Sequence, residues 1–193
     1  MGIEKQLPLP NLKISSKGPV AVFIGLRDID NDPKVLLAKR PSGRYTFPGG
    51  KSKANEKPIN TAMRETREET GWQIYSPEYL ISTGDGPIRV VADGYERDFY
   101  LFFGFTDECM DNDVPTHREP NKNSPWEWVL ARKIPFLVAT GELHPVVLRA
   151  NLPEIIAEAR EVDDTLFTIN TRDSIDLESY DFPHYGLHPN LIK

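Results

Sequence analysis

The sequence predicts an α/β fold, a mixed β-sheet covered by helices on both faces, and three observations carry that prediction. Short apolar, β-rich runs at Val20–Ile24, Val35–Ala38 and Tyr45–Phe47 precede a helix-patterned stretch from Pro58 to Thr70. More strand-like runs follow, and one of them, Phe99-Tyr100-Leu101-Phe102-Phe103, is apolar on both faces, as expected of a strand covered on both sides. A second helical spacing closes the pattern at Leu152, Ile155, Ile156 and Ala159, within a helix expected over Leu152–Val162. Strands, helix, strands, helix is the order that suits a sheet sandwiched between helices.

Taken in order, residues 1–18 read as an extended lead-in with little regular structure, 19–160 as the folded domain, and 161–193 as an extension. The first two strands flank Arg27-Asp28-Ile29-Asp30-Asn31-Asp32-Pro33, a hairpin loop. The alternating aspartates resemble a calcium loop, but Pro33 stands where such a loop needs Gly and Lys39 where it needs Glu, so a plain turn is expected. Lys39-Arg40-Pro41-Ser42-Gly43-Arg44 is a basic turn whose three cations are candidate phosphate contacts, against the plainer reading of solubilising charge.

After Tyr45–Phe47 the chain turns through Pro48-Gly49-Gly50, where missing side chains let backbone approach a metal or phosphate closely. Pro58 suits the first turn of a helix, Ile59, Ala62 and Met63 mark a buried side, and Gly71 ends it as a C′ glycine. Glu65, Glu68 and Glu69 stand at i, i+3 and i+4 and share one face. Crowded like charges are unfavourable, and a hard divalent cation with oxygen ligands is the usual stabiliser of such a cluster. Taken alone, the three would be read as a solvated face. Arg64, four residues before Glu68, can hold carboxylates in register with its planar fork of donors.

Downstream, Glu78–Thr83 is expected as a strand, and Ile88–Ala92 and Asp98–Thr106 as a hairpin joined through Asp93-Gly94. Residues 107–124 form a long polar loop that delivers Pro125–Leu130, a strand with Trp126 and Trp128 on one face. Ile134–Leu137 begins a connection, and His144-Pro145 opens a helix. Residues 163–193 are weakly periodic and read as a packed extension, a dimer arm or a tail; a homodimer is therefore an open expectation. His144, His184 and His188 lack metal-site spacing.

Composition narrows the function classes. With 193 residues, 39% hydrophobic and 27% charged, the chain is an ordinary globular protein able to bury a core. No apolar run approaches a membrane span, and the N-terminus lacks both a secretory apolar block and, with Gln6 at its sixth position, a myristoylation signal. A single cysteine, Cys109, excludes an internal disulfide framework, and a cytoplasmic location is expected. The net charge of −6 argues against a nucleic-acid-gripping surface, and an anionic substrate would need a divalent metal and a few placed cations.

The spacing that organises these features is Gly50, five residues, Glu56, seven residues, Arg64-Glu65, two residues, Glu68-Glu69, one residue, Gly71. It resembles the Nudix box, the signature of the Nudix hydrolase family. Thr66 and Trp72 depart from it, standing where the family usually has aliphatic residues; Thr66 puts the buried side of the helix in doubt rather than the chemistry. The resemblance implies an α/β/α sandwich with a mixed β-sheet and Mg²⁺ as cofactor, Mn²⁺ being able to substitute. It also implies Glu68 and Glu69 as metal ligands joined by the carbonyl of Gly50, Glu65 as third ligand or as the base acting on water, and Arg64 and Glu56 as residues that hold the box in shape. Glu119-Pro120 followed by Trp126-Glu127-Trp128 is similar to a further family pattern, which makes Glu119 the candidate carboxylate outside the box and Glu127 the second choice. Arg40 stands where the family often has a basic residue; Lys39 and Gly49 join it as candidate substrate contacts. The implied substrate is a small-molecule nucleotide, with a nucleoside triphosphate giving nucleoside monophosphate and pyrophosphate ahead of ADP-ribose, a sugar nucleotide or a dinucleoside polyphosphate. The reading of another class is a non-catalytic nucleotide sensor.

Overall fold

Val20–Arg27 is buried along almost its whole length and forms the strand, β2, on which the sheet is laid. The computed structural model describes residues 13–14, 18–84, 86–92, 95–105 and 115–172. In chain order the strands are β1 Lys13–Ile14, β2, β3 Lys34–Lys39, β4 Tyr45–Thr46, β5 Gly49–Lys51, β6 Ile81–Ser82, β7 Ile88–Ala92, β8 Tyr95–Phe105 and β9 Glu127–Leu130. The helices are α1 Pro58–Thr70, α2 Ile134–Ala139, α3 Pro145–Arg149 and α4 Leu152–Arg172.

The sheet is mixed. Strand β2 runs parallel to β8 from Val20↔Phe99 to Leu26↔Phe105. It is antiparallel to β5 at its start, Val22 facing Gly49, and to β3 at its end, Leu26 facing Val35. Strands β6 and β7 pair with β8, and β4 and β9 with β3, all antiparallel. Because successive side chains point to opposite faces, β2 feeds two cores. Val20, Val22, Ile24 and Leu26 pack with Val146, Val147, Leu152, Ile155 and Ile156 of α3 and α4. Ala21 and Phe23 pack on the other face with Ala62 of α1, Trp72, Leu80 and Trp126. One face carries α1 and the other α3 and α4, which is the α/β/α sandwich expected.

Several elements differ from expectation for local reasons. The Gly49-Gly50 turn is a strand paired to β2, since glycines let it lie against that strand: a Cβ at Gly49 would sit 2.5 Å from the Ala21 carbonyl oxygen. Residues 78–83 do not form one strand. Ser76 caps a 3₁₀ turn over Pro77–Tyr79, with its hydroxyl accepting from the Glu78 N–H, and only Ile81–Ser82 pairs with β8. Strand β8 begins at Tyr95, opposite Ala92, rather than at Asp98. Strand β9 begins after Trp126, and Trp126 and Trp128 do share a face. Lys13–Ile14 adds a parallel edge pair to β8, where only an extended lead-in was expected. The last helix runs to Arg172, well beyond Val162.

The hairpin loop is as expected, and two of its three aspartates are tied to cations, Asp28 to Lys34 and Asp32 to Arg132. Cys109, Asp93-Gly94, His184 and His188 lie outside the described residues. Among the described residues no helix is long and apolar enough to cross a membrane.

Phe23 is fully buried between β2 and the α1 face, whereas Phe136 on α2 is 66% exposed. Phe23→Ala is expected to lower the unfolding free energy by about 3–5 kcal/mol, and Phe136→Ala to leave it within about 0.5 kcal/mol, as measured by urea denaturation.

Candidate active site

Helix α1 starts after an extended Lys57 with Pro58 in its first turn and ends at Gly71, which adopts φ 81° and donates its N–H to the Arg67 carbonyl. Its buried stripe is unusually polar: Thr61, Ala62, Thr66, Glu69 and Thr70. The threonines satisfy themselves locally, Thr66 Oγ1 donating to the Ala62 carbonyl at 2.7 Å and Thr70 Oγ1 to the Thr66 carbonyl at 2.6 Å. Thr66 is therefore accommodated without an orphaned hydroxyl. Trp72, at the other departure, is buried and packs at a tilt of 31° against Trp128, ring centroids 5.9 Å apart.

The last carbonyls of a helix need outside donors, and residues 115–126 supply them. Thr116 gives both its N–H and its hydroxyl to the Thr70 carbonyl. The Trp126 indole N–H bonds the Glu69 carbonyl at 3.1 Å. The helix end is thus fixed to the segment that leads into β9.

Glu65, Glu68 and Glu69 occupy the C-terminal half of α1, where the helix dipole disfavours negative charge. Arg64 offsets much of this. Its Nε and Nη2 reach both oxygens of Glu56 at 2.8 and 2.9 Å. Its Nη1 reaches Glu65 at 2.6 Å and Glu68 at 3.0 Å, and Nη2 also bonds the Lys51 carbonyl. This fork holds the Glu56 carboxyl down at about 2, reinforced by the Lys53 N–H and the Thr61 hydroxyl, and holds Arg64 itself firmly protonated.

Glu69 is only 6% exposed and accepts the Gly49 N–H at 2.9 Å. Burial pushes its carboxyl up to about 7; the Gly49 bond and Arg40 oppose that rise, and the charges of Glu65 and Glu119 add to it. Glu65 lies directly on Gly50, where a Cβ would come within 2.2 Å of its carboxyl carbon. Gly50 is thus the residue that lets a carboxylate reach the sheet.

These groups open into a cavity of about 490 Å³ whose lining includes Arg40, Gly49, Gly50, Arg64, Glu65 and Glu69. A second cavity, of about 320 Å³, lies along the same glycine strand and shares Arg40, Gly49, Gly50 and Lys51 with the first. Val20, Val22, Val90, Tyr95, Phe99 and His144 line it. The buried oxygen Glu119 Oε2 has no hydrogen-bond partner, while Oε1 accepts from Lys122 at 2.7 Å. Two carboxylates at the glycine strand, a raised Glu69 carboxyl and an orphaned carboxylate oxygen whose charge reaches Glu69 make a hard-oxygen donor set. Its chemistry fits a divalent cation such as Mg²⁺, although among the described residues no three acidic, histidine or cysteine side chains already converge as a metal shell.

Not every candidate residue is brought to the cavity. The Glu68 carboxylate turns to Arg64 and is 45% exposed. Lys39 pairs with Glu142 at 2.8 Å and lies over the Tyr45 ring, so it does not line either cavity. Glu127 lies beside the Tyr45 hydroxyl and, after burial, helps to push its pKa up. Conversely, Lys51, Lys53, Lys122 and Asn123 line the first cavity and were not singled out by sequence reasoning. The strict alternation of Lys51 and Lys53 beside the glycines was the one available signal; Lys122 and Asn123 sit in a loop without a period.

Comparison with known proteins agrees with this architecture. A family model described as NUDIX domain matches residues 17–149. Over 80 residues the chain is 38% identical to the uncharacterized Nudix hydrolase YvcI of Bacillus subtilis (strain 168), covering 35% of this chain and 51% of that protein. Over 59 residues it is 39% identical to the CTP pyrophosphohydrolase of Escherichia coli (strain K12), covering 28% of this chain and 44% of that protein. The chain spans about half the length of these two relatives. Among solved structures, the NUDIX domain of Shewanella oneidensis NrtR complexed with ADP ribose aligns with TM-score 0.55 and 16% identity, covering 77% of this chain and 89% of that one. A NUDIX hydrolase from Nitrosomonas europaea aligns with TM-score 0.53 and 18% identity, covering 69% and 85%. Identities this low show a shared fold.

The folded, metal-free protein keeps the Glu69 proton up to about pH 7, while the unfolded chain releases it near 4.5. This group's stabilisation is therefore complete below pH 4.5 and is lost as pH rises through about 7. In EDTA, Glu69→Gln should remove that decline from urea-unfolding curves; an unchanged slope would contradict the assignment. Arg64→Lys keeps the charge but loses the fork, and should cost roughly 2–3 kcal/mol of stability by the same measurement.

Proposed function

The chain belongs to the NUDIX domain family, and on that premise we propose that it is a Mg²⁺-dependent hydrolase of nucleotide phosphoanhydrides, acting on a nucleoside triphosphate to release nucleoside monophosphate and pyrophosphate. The observation that carries this reading is the opposition, within one cavity, of Glu65 and Glu69 against the glycine strand by Arg40, Lys51 and Lys53. Carboxylates beside cations can bind a metal and a polyphosphate together while limiting repulsion from a net charge of −6. Bound among these carboxylates, Mg²⁺ would supply charge neutralisation at phosphate and activation of water.

The residues have distinct parts in this reading. Glu69 and Glu65, with Glu68 and Glu119 drawn in, would hold the ion beside the Gly50 carbonyl. Arg64 and Glu56 keep those acids in register. One Glu65 oxygen accepts from Arg64, and its carboxylate faces the cavity, so it can either hold the ion or take a proton from water. Arg40 stands between the two cavities and would bridge them to a phosphate. The second cavity, where the rings of Tyr95 and Phe99 stand beside the polar groups of Thr46, Arg97 and His144, would receive the base and sugar. The 39% identity to a CTP pyrophosphohydrolase supports the triphosphate. The second reading is ADP-ribose hydrolysis, and a neighbour of the same fold complexed with ADP ribose makes that compound the second ligand to test.

A panel of nucleoside triphosphates, ADP-ribose and diadenosine polyphosphates incubated with Mg²⁺ and resolved by ³¹P NMR tests the proposal. Monophosphate and pyrophosphate from a triphosphate are expected, with EDTA abolishing turnover. Product from ADP-ribose alone would favour the second reading, and binding without product would favour a sensor. Glu68→Gln and Glu69→Gln are each expected to lower turnover by roughly a hundredfold or more with the fold retained; near-normal rates in both would refute their role.

A further inference from the structure

Residues 119–124 form a turn held almost entirely by backbone. The N–H groups of Lys122 and Asn123 both point to the Glu119 carbonyl, at 2.9 and 3.3 Å. The Ser124 N–H bonds the Lys39 carbonyl, and the Ser124 hydroxyl accepts the Lys39 N–H in return. The His117 ring closes on the Asn123 carbonyl at 2.6 Å. A loop this firmly pinned to the end of β3 positions its side chains.

Two of those side chains face the 490 Å³ cavity. Asn123 is only 7% exposed and lines the cavity, and its amide makes no hydrogen bond among the described residues. Its donors and acceptor are therefore available to a ligand in the cavity. Lys122 stands beside it, its stem exposed and its ammonium tethered by one bond to Glu119, which leaves two of three donors available. Neither residue lines the second cavity, which shares only Arg40, Gly49, Gly50 and Lys51 with the first.

We propose that Lys122 and Asn123 form a clamp for the distal phosphates of the substrate, the part that departs as pyrophosphate. The inference rests on the phosphoanhydride reading above and gives it a direction. The nucleoside enters the second cavity, the chain of phosphates crosses the Gly49-Gly50 strand beneath Arg40, and its far end meets the ammonium and amide of the 119–124 turn. Both groups donate to phosphoryl oxygens, and charge-assisted donation of this kind gives strength as well as registry. The Glu119 tether keeps the ammonium at the rim before the ligand arrives.

Calorimetric titration with inorganic pyrophosphate in magnesium buffer tests the clamp, without requiring turnover. Wild type should bind, and Lys122→Gln and Asn123→Leu should each weaken pyrophosphate by about tenfold or more, while Lys133→Gln, an exposed cation elsewhere, should not. Affinity for nucleoside monophosphates (AMP, GMP, CMP and UMP) should be unchanged in both variants, as should the melting temperature. Asn123→Asp, which keeps the shape and adds a repelling charge, covers the case in which Asn123→Leu does not fold. Undetectable pyrophosphate binding by wild type, unchanged affinity in the variants, or an equal loss for pyrophosphate and monophosphate would overturn the clamp. Absence of turnover with pyrophosphate still bound through these residues would instead count against the hydrolase reading alone.

Discussion

The structure depends on one guanidinium. Three glutamates on two turns of a helix, in the half where the dipole is already negative, repel each other and the peptide carbonyls. Arg64 reaches both oxygens of Glu56, one of Glu65 and one of Glu68, and also the Lys51 carbonyl of the neighbouring strand. Only a planar, permanently charged fork makes five such contacts. It ties helix α1, the loop before it and the glycine strand into one unit, and so keeps acidic groups concentrated without unfolding the element that carries them.

Glu69 lies beyond that reach, and the backbone serves it instead. Its carboxylate accepts the Gly49 N–H, and its own carbonyl receives the Trp126 indole. The two glycines have different tasks. Gly49 has φ 156° and lies too close to β2 for a side chain, whereas Gly50 makes room for the Glu65 carboxylate. Both cavities are lined by Gly49 and Gly50, so the same glycines join a compartment holding the acids of α1 to one lined by Tyr95, Phe99, Arg97 and His144.

Much of this was legible in the residues. The fixed spacing from Gly50 to Gly71 placed the helix and its glycine cap, but of the buried side expected at Ile59, Ala62 and Met63 only Ala62 is fully buried, beside Thr61, Thr66, Glu69 and Thr70. The misplaced candidates also had a readable cause. Leu36 and Ala38 face α1, so Lys39 falls on the opposite face, over Tyr45. Trp126 and Trp128 face α1, so Glu127 likewise turns to the Tyr45 side. Glu68 was drawn away by a partner, Arg64, that the spacing had already named. Lys122 and Asn123 were not legible, because a non-periodic loop is positioned by long-range backbone bonds to Lys39 and by the His117 ring. Strand β5 was missed because two glycines resemble a turn until β2 is there to pair with them.

The central claim is that Glu65 and Glu69 converge on the Gly49-Gly50 strand to share a divalent ion with phosphate. Anomalous diffraction from crystals soaked in Mn²⁺ and a non-hydrolysable nucleoside triphosphate tests it most directly. A manganese peak bridging those carboxylates and the phosphates is the predicted result. A bound nucleotide with no peak there, and with the acids still held by Arg64 and the Gly49 N–H alone, would contradict it.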